Sequence, residues 1–163
     1  MALQQRYQGS VKTAVVAAAG LGIPGIFNPA LDVAGTAGIW TTMVGALAAQ
    51  SGHTISPHLI GKLVSAAVSG VSAYMLGSKI LTWVATPLIL AFPVAGIPAA
   101  ALVNSLLNGL FTYRLGLGVA SEMSRATFTD DDFIQLSYRV ARKLTHLPSW
   151  EEIEAVRELI SGS

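Results

Sequence analysis

The residues able to do chemistry are few and far apart. Between Thr13 and Ser121 the only charged side chains are Asp32, Lys62, Lys79 and Arg114, and Asn104 and Asn108 stand four apart just ahead of Arg114. A charge set in apolar sequence is costly unless it is paired, hydrogen-bonded or turned toward water, so each is by default a functional position. Asp32 admits two readings. Behind Asn28-Pro29 it falls in the first turn of a helix, where free N–H groups and the positive end of the dipole favour a carboxylate. Otherwise it is the ion-pair partner of Lys62, Lys79 or Arg114, or a coordinating group in a polar path. Asn104, Asn108 and Arg114 share neighbouring faces of one apolar segment. Together they would line a cavity filled by water or lipid headgroups; equally, Arg114 marks the membrane edge, its guanidinium reaching to phosphate.

The other reactive residue types form no constellation. His53 and His58 flank a Ser56-Pro57 helix start and, with no cysteine in the chain and no carboxylate close by, read as loop histidines rather than zinc ligands. Asp130-Asp131-Asp132 lacks the alternating ligands and the glycine of a calcium loop. GLGIPG and RLGLG lack the Lys-Ser/Thr pair of a phosphate loop. Nor does any nucleophile have a base within reach in sequence. No catalytic, cofactor-binding or metal-binding residue is predicted, and a non-enzymatic protein is expected.

The elements that must position these side chains are unusually apolar. Of 163 residues, 52% are hydrophobic and 12% charged, against about a quarter charged in a soluble domain. The first 121 residues carry five bases and one acid, the remainder five bases and eight acids. A net charge of +1 argues against nucleic acid, which demands clustered Lys and Arg. The opening residues have the outline of a signal peptide, but the apolar run behind Arg6 and Lys12 is Ala/Gly-rich and reads better as a first bundle segment.

Four apolar segments are expected: a short one over 11–23, then 29–50, 57–77 and 98–123, with 78–92 broken by Pro87. Asn28-Pro29 and Ser56-Pro57 are cap-plus-proline starts. Residues 29–50 would rise roughly 31 Å at ~1.5 Å per residue, enough for a hydrocarbon core of about 30 Å. Small residues recur every fourth position at Ala34, Gly38, Thr42 and Ala46, and again at Gly61, Ser65, Ser69, Ala73 and Gly77; such ridges let helix backbones approach closely in lipid. The prediction is an all-α fold, a membrane-embedded bundle of helical hairpins over 1–125. A C-terminal amphipathic helical hairpin follows over 126–163. In it Thr129 and Ser149 are N-caps, and the stripes Phe133, Leu136, Val140, Leu144 and Trp150, Ile153, Val156, Ile160 are expected to dock on a partner or on the chain itself. Bases at both ends place both termini in the cytoplasm.

One family shares several of these features. The opening NPALD, Lys79 near the end of the third segment, the break FPVAG and the step TYRLG together resemble the YcjF-type domain, a GTPase-associated integral-membrane helical domain of unknown function. The resemblance spans about residues 10–125. It implies a membrane-embedded α-helical fold, motif positions at Asp32, Lys79, Pro93, Gly96, Thr112 and Gly116 without assigned chemistry, and a soluble GTPase as partner. These 163 residues carry no Walker lysine, so nucleotide dependence would come from that partner. The leading expectation is a homo-oligomeric membrane scaffold that recruits a soluble protein. An oligomeric channel or transporter is the alternative, and a membrane-remodelling hairpin protein the third.

Overall fold

Helix boundaries follow the caps written into the chain. Asn28 Oδ1 accepts the N–H of Leu31 at 3.2 Å and Pro29 takes the first helical position; Ser56 Oγ accepts from Leu59 at 3.3 Å. Thr129 and Asp132 exchange bonds in a capping box whose acid is an aspartate, and Ser149 and Glu152 form the Ser/Glu version. In the computed structural model, which describes residues 4–25, 28–77, 99–125, 128–144, 146 and 148–162, these starts open helices α2 (Pro29–Ser51), α3 (Pro57–Gly77), α5 (Asp130–Leu144) and α6 (Trp150–Ser161); α1 is Gln5–Gly25 and α4 is Ala99–Met123. The protein is all-α, with no strand among the described residues. The segment 78–92, Lys79, Pro93 and Gly96 lie outside the described residues.

α1 is longer than hydropathy suggests. Its first turns are polar in sequence yet helical, and Tyr7 is fully buried there. α2 ends at Gly52, whose φ of 77° and bonds back to Ala48 and Ala49 close the last turn in the left-handed conformation that suits glycine.

α1 packs against both α2 and α4, which also touch each other, and runs antiparallel to both. Ser10 meets Gln50 and Leu21 meets Gly35 on one side, while Val11 meets Gly116 and Gly22 meets Ser105 on the other. α2 and α4 therefore run in the same direction. The Gly22 contact is backbone to backbone: a Cβ there would overlap the N and Cα of Ser105. α5 packs over α3 and α4, and α6 over α1 and α4. One core receives side chains from all six helices, among them Val15, Trp40, Leu63, Phe111, Phe133 and Val156.

Two sequence expectations change here. Phe133, Leu136, Val140 and Leu144 are each at most 3% exposed, so this stripe is filled by the chain's own α3 and α4 and is not open to a partner. α6 likewise buries Val156 and half-buries Ile153, leaving Trp150 60% exposed. Docking on itself wins because α3 and α4 offer an apolar surface already tethered to the tail. Second, one helix among the described residues, Ala30–Ser51, is long and apolar enough to cross a membrane. α1 and α4 fall short, since polar residues such as Gln8, Asn104 and Arg114 interrupt them.

The two small-residue ridges face outward. Gly38 on α2 and Gly61, Ser65 and Ser69 on α3 are exposed, and a Cβ at Gly38 or Gly61 would meet nothing; Ala73 and Gly77 continue the ridge along α3 in sequence. Glycines on α1 show the same contrast two residues apart. Gly20 faces open space, whereas Gly22 abuts Ser105. Gly20→Ala is expected to raise stability by about 0.5–1 kcal/mol through helix propensity, and Gly22→Ala to lower it by about 2 kcal/mol or more through overpacking. Thermal unfolding of both variants in mild detergent checks the opposite signs.

Candidate functional site

The polar residues of α2 and α4 are spaced to face each other. Asp32, Thr36 and Trp40 recur every four residues on α2, and Asn104, Asn108 and Thr112 do so on α4, so each set lies along one helix face. Because the helices are parallel, the sets meet as a ladder. Asn104 Nδ2 donates to Asp32 Oδ2 at 2.9 Å, and Asn108 Nδ2 to Asp32 Oδ1 at 2.7 Å. Two turns along, Trp40 Nε1 donates to Thr112 Oγ1 at 2.8 Å, and Thr112 Oγ1 passes its own proton to the Asn108 carbonyl at 2.7 Å. Asn104 Nδ2 also donates to the Gly22 carbonyl at 3.1 Å, so one side-chain amide joins α1, α2 and α4. The Asp32 carboxyl packs against Gly25 in the space a Cβ would occupy. Asn108 and Thr112 are buried and Asp32 and Asn104 half-buried.

Asp32, Asn104 and Asn108, singled out from sequence, are thus brought together. Neither Lys62 nor Arg114 is part of the group. Lys62 is exposed on α3, and Lys79 lies outside the described residues. Arg114 points elsewhere because six residues at about 100° each carry it roughly 120° around the helix from Asn108, away from the face shared by Asn104, Asn108 and Thr112. It is held instead by the tail. Its Nε and Nη2 bond Glu152 Oε1 and Oε2 at 3.0 and 2.8 Å, and Nη1 donates to the His146 carbonyl at 2.7 Å. With its side chain 8% exposed, Arg114 makes a bidentate, charge-assisted clasp.

The clasp and the α6 cap share an atom. Glu152 Oε2 accepts from Arg114 and also from the Ser149 N–H at 2.9 Å. Partial burial works against the Glu152 charge, but the bonds from Arg114 and Ser149 and the guanidinium's charge outweigh it and hold the carboxyl below the usual glutamate range. A depressed carboxyl stabilises the folded state above its unfolded pKa and stops doing so as pH falls through the folded value.

His53, beyond the end of α2, sets Nε2 3.2 Å from the Met123 carbonyl and its ring 5.0 Å from that of Phe128, a packing role where the ends of α2 and α4 meet. His58 is exposed. Among the described residues no three His, Cys, Asp or Glu side chains converge as metal ligands would.

Three participants escaped sequence reasoning: Thr36, Trp40 and Glu152. The first two were legible as the four-residue polar repeat of α2 matching that of α4. Glu152 carried only its capping-box signal, which says nothing about a partner 38 positions away.

Comparison with protein families, characterised proteins and solved structures finds no match to this chain. The YcjF-type resemblance rests on its short motifs, of which Asp32 and Thr112 are rungs of the ladder and Gly116 packs against Val11.

Replacing Asn104 by Leu strips donors from both Asp32 and the Gly22 carbonyl, and is expected to cost about 2–4 kcal/mol, since orphaned acceptors cost more than the bonds themselves contribute; chemical denaturation in detergent measures it. For the clasp, Arg114→Met should make the segment after Arg125 protease-sensitive at neutral pH. The unaltered tail should stay protected down to the ordinary glutamate range, about pH 4.3, and open below it. Equal protection of both proteins across this range would contradict the clasp.

Proposed function

We propose that the chain is a small, non-enzymatic membrane-embedded scaffold that self-associates through α2 and α3 and presents its charged end to a soluble protein. One observation carries this reading. Only 28% of the apolar stretch of Ala30–Ser51, the span-length helix found among the described residues, is buried within the chain. A soluble protein would put such a helix in its core; here most of it needs lipid or another copy as neighbour.

The surface beside it suits another helix. Between α1 and α2 runs an open groove of about 560 Å3, lined by small residues that include Gly9, Ala17, Gly35, Gly38 and Ala46. The exposed Gly61–Ser65–Ser69 ridge of α3 supplies a second face of the same kind. With the tail stripe buried, a partner would meet the exposed outer faces of α5 and α6, where Tyr138 is 72% and Trp150 60% exposed. A GTPase is the partner the family resemblance implies. A second reading, shallow insertion of the α1–α2 hairpin, draws on Ile23, Leu31 and Val33, all exposed near its turn.

The Cβ positions of Gly38 and Gly61 are open, so Gly38→Leu with Gly61→Leu spares the monomer fold while blocking close helix approach. Native mass spectrometry of protein extracted in mild detergent should show one closed oligomer for the unaltered chain and monomer for the double variant. A monomeric unaltered chain refutes self-association. Release from membranes by alkaline carbonate refutes integral insertion and favours the shallow hairpin.

A further inference from the structure

The ladder has a missing rung. Asp32 bonds Asn104 and Asn108, Trp40 bonds Thr112, and Thr36, on the same face between them, bonds nothing: its Oγ1 is shielded from solvent and without a partner although the residue is only 7% exposed. Other threonines of these helices behave differently. Thr41, Thr42 and Thr112 each return the hydroxyl proton to the carbonyl four residues back, at 2.8, 3.0 and 2.7 Å. That bond is open to any helical threonine, so its absence at Thr36 leaves a buried, unpartnered oxygen on the residue one turn along α2 from Asp32. Buried hydroxyls without a partner are uncommon and call for an explanation.

The carboxylate is also unfinished. Two amides occupy two of its roughly four acceptor positions, and no Lys, Arg or His among the described residues pairs with it. The amides satisfy hydrogen bonding and the first turn of α2 favours the charge, but no side chain of opposite charge neutralises it among the described residues. The group therefore has spare oxygen lone pairs, one negative charge and a shielded hydroxyl. A hard cation takes such oxygens. One carboxylate balances a single positive charge, whereas calcium sites gather six to eight oxygens, several of them from carboxylates.

We propose that Asp32 and Thr36, with Asn104 and Asn108 orienting the carboxylate, form a binding site for one monovalent cation of sodium's size between α2 and α4. The site rests on side-chain geometry alone and stands whether or not the chain is a scaffold. Asp32 supplies the charge, Thr36 the neutral oxygen, and water completes the shell. Binding would tie together the two helices that, with α1, share the Asn104 junction.

The test uses the full chain in an uncharged detergent. Thermal unfolding is followed in sodium chloride, potassium chloride and choline chloride at one ionic strength, with calcium chloride added in a further series. At a sodium concentration about tenfold above Kd the midpoint is expected to rise by roughly 3–6 °C over choline. The rise should be absent in Asp32→Asn and in the near-isosteric Thr36→Val, which keeps the test valid if the aspartate variant fails to fold. Three outcomes overturn the site. No sodium-specific rise means a trapped water satisfies Thr36, a rise that survives Thr36→Val places the ion elsewhere, and a calcium response larger than the sodium one removes the monovalent assignment.

Discussion

A carboxylate on an apolar helix must be satisfied by something, and the rest of this bundle is arranged around how Asp32 is. Its two oxygens take amide protons from Asn104 and Asn108 on α4, and the second proton of Asn104 goes to the Gly22 carbonyl on α1. Apolar contacts alone set register weakly, because a helix displaced by one turn finds similar neighbours. An amide that must reach two acceptors on two helices does not allow that displacement. The bond is short only if α1 and α4 touch at Gly22 and Ser105, and the carboxyl fits only because Gly25 leaves room for it. Register and close packing thus follow from one polar requirement. Trp40 and Thr112 repeat the constraint two turns along, which fixes the direction of α2 against α4 as well as their offset.

Arg114 plays the corresponding part for the tail. Helix geometry puts it on a different face of α4 from the ladder, and there it meets Glu152 and the His146 carbonyl. Because Glu152 also caps α6, losing the clasp would loosen the first turn of the helix it holds. The tail's strongly amphipathic α5 is then committed to α3 and α4, with Arg139 bridging to Glu122 at its outer edge. Residues 126–163 differ in composition from what precedes them, yet Phe133, Val140, Leu144 and Val156 belong to the same core as α1 to α4. Composition marks where charge is distributed; it does not mark where packing stops.

What could be read from the chain beforehand divides along this line. Helices were legible because their signals are local: Asn28-Pro29, Ser56-Pro57, the Thr129 and Ser149 caps and the apolar stretches all act within a few residues. Asp32, Asn104 and Asn108 could be named because polar residues are rare in such sequence, and their grouping was recoverable from two matching four-residue repeats. The partner of Arg114 was not recoverable. Glu152 is one acid among seven in the tail, and choosing it requires knowing that α6 returns to the middle of α4. The same non-local fact decides the α5 stripe: periodicity identifies an apolar face and is silent about which surface covers it.

Small residues appear on both sides of the bundle and do different work on each. Inward, Gly22 and Gly116 let α1 approach α4 until side chain or backbone fills the space a Cβ would need. Outward, Gly38 and Gly61 meet nothing, although they stand on the two helices that carry the four-residue ridges. A lone α2 gains nothing from that outer ridge in water: glycine there lowers helix propensity, and the apolar residues flanking it stay exposed. The arrangement becomes favourable when another helix or lipid chain lies against it, because dispersion contacts then replace empty space and no bulky side chain must be displaced. Within the proposed assembly the polar ladder would hold α1, α2 and α4 as one rigid unit. The outer ridges could then pack without the register between those helices being renegotiated, which is the condition a self-associating helical surface has to meet.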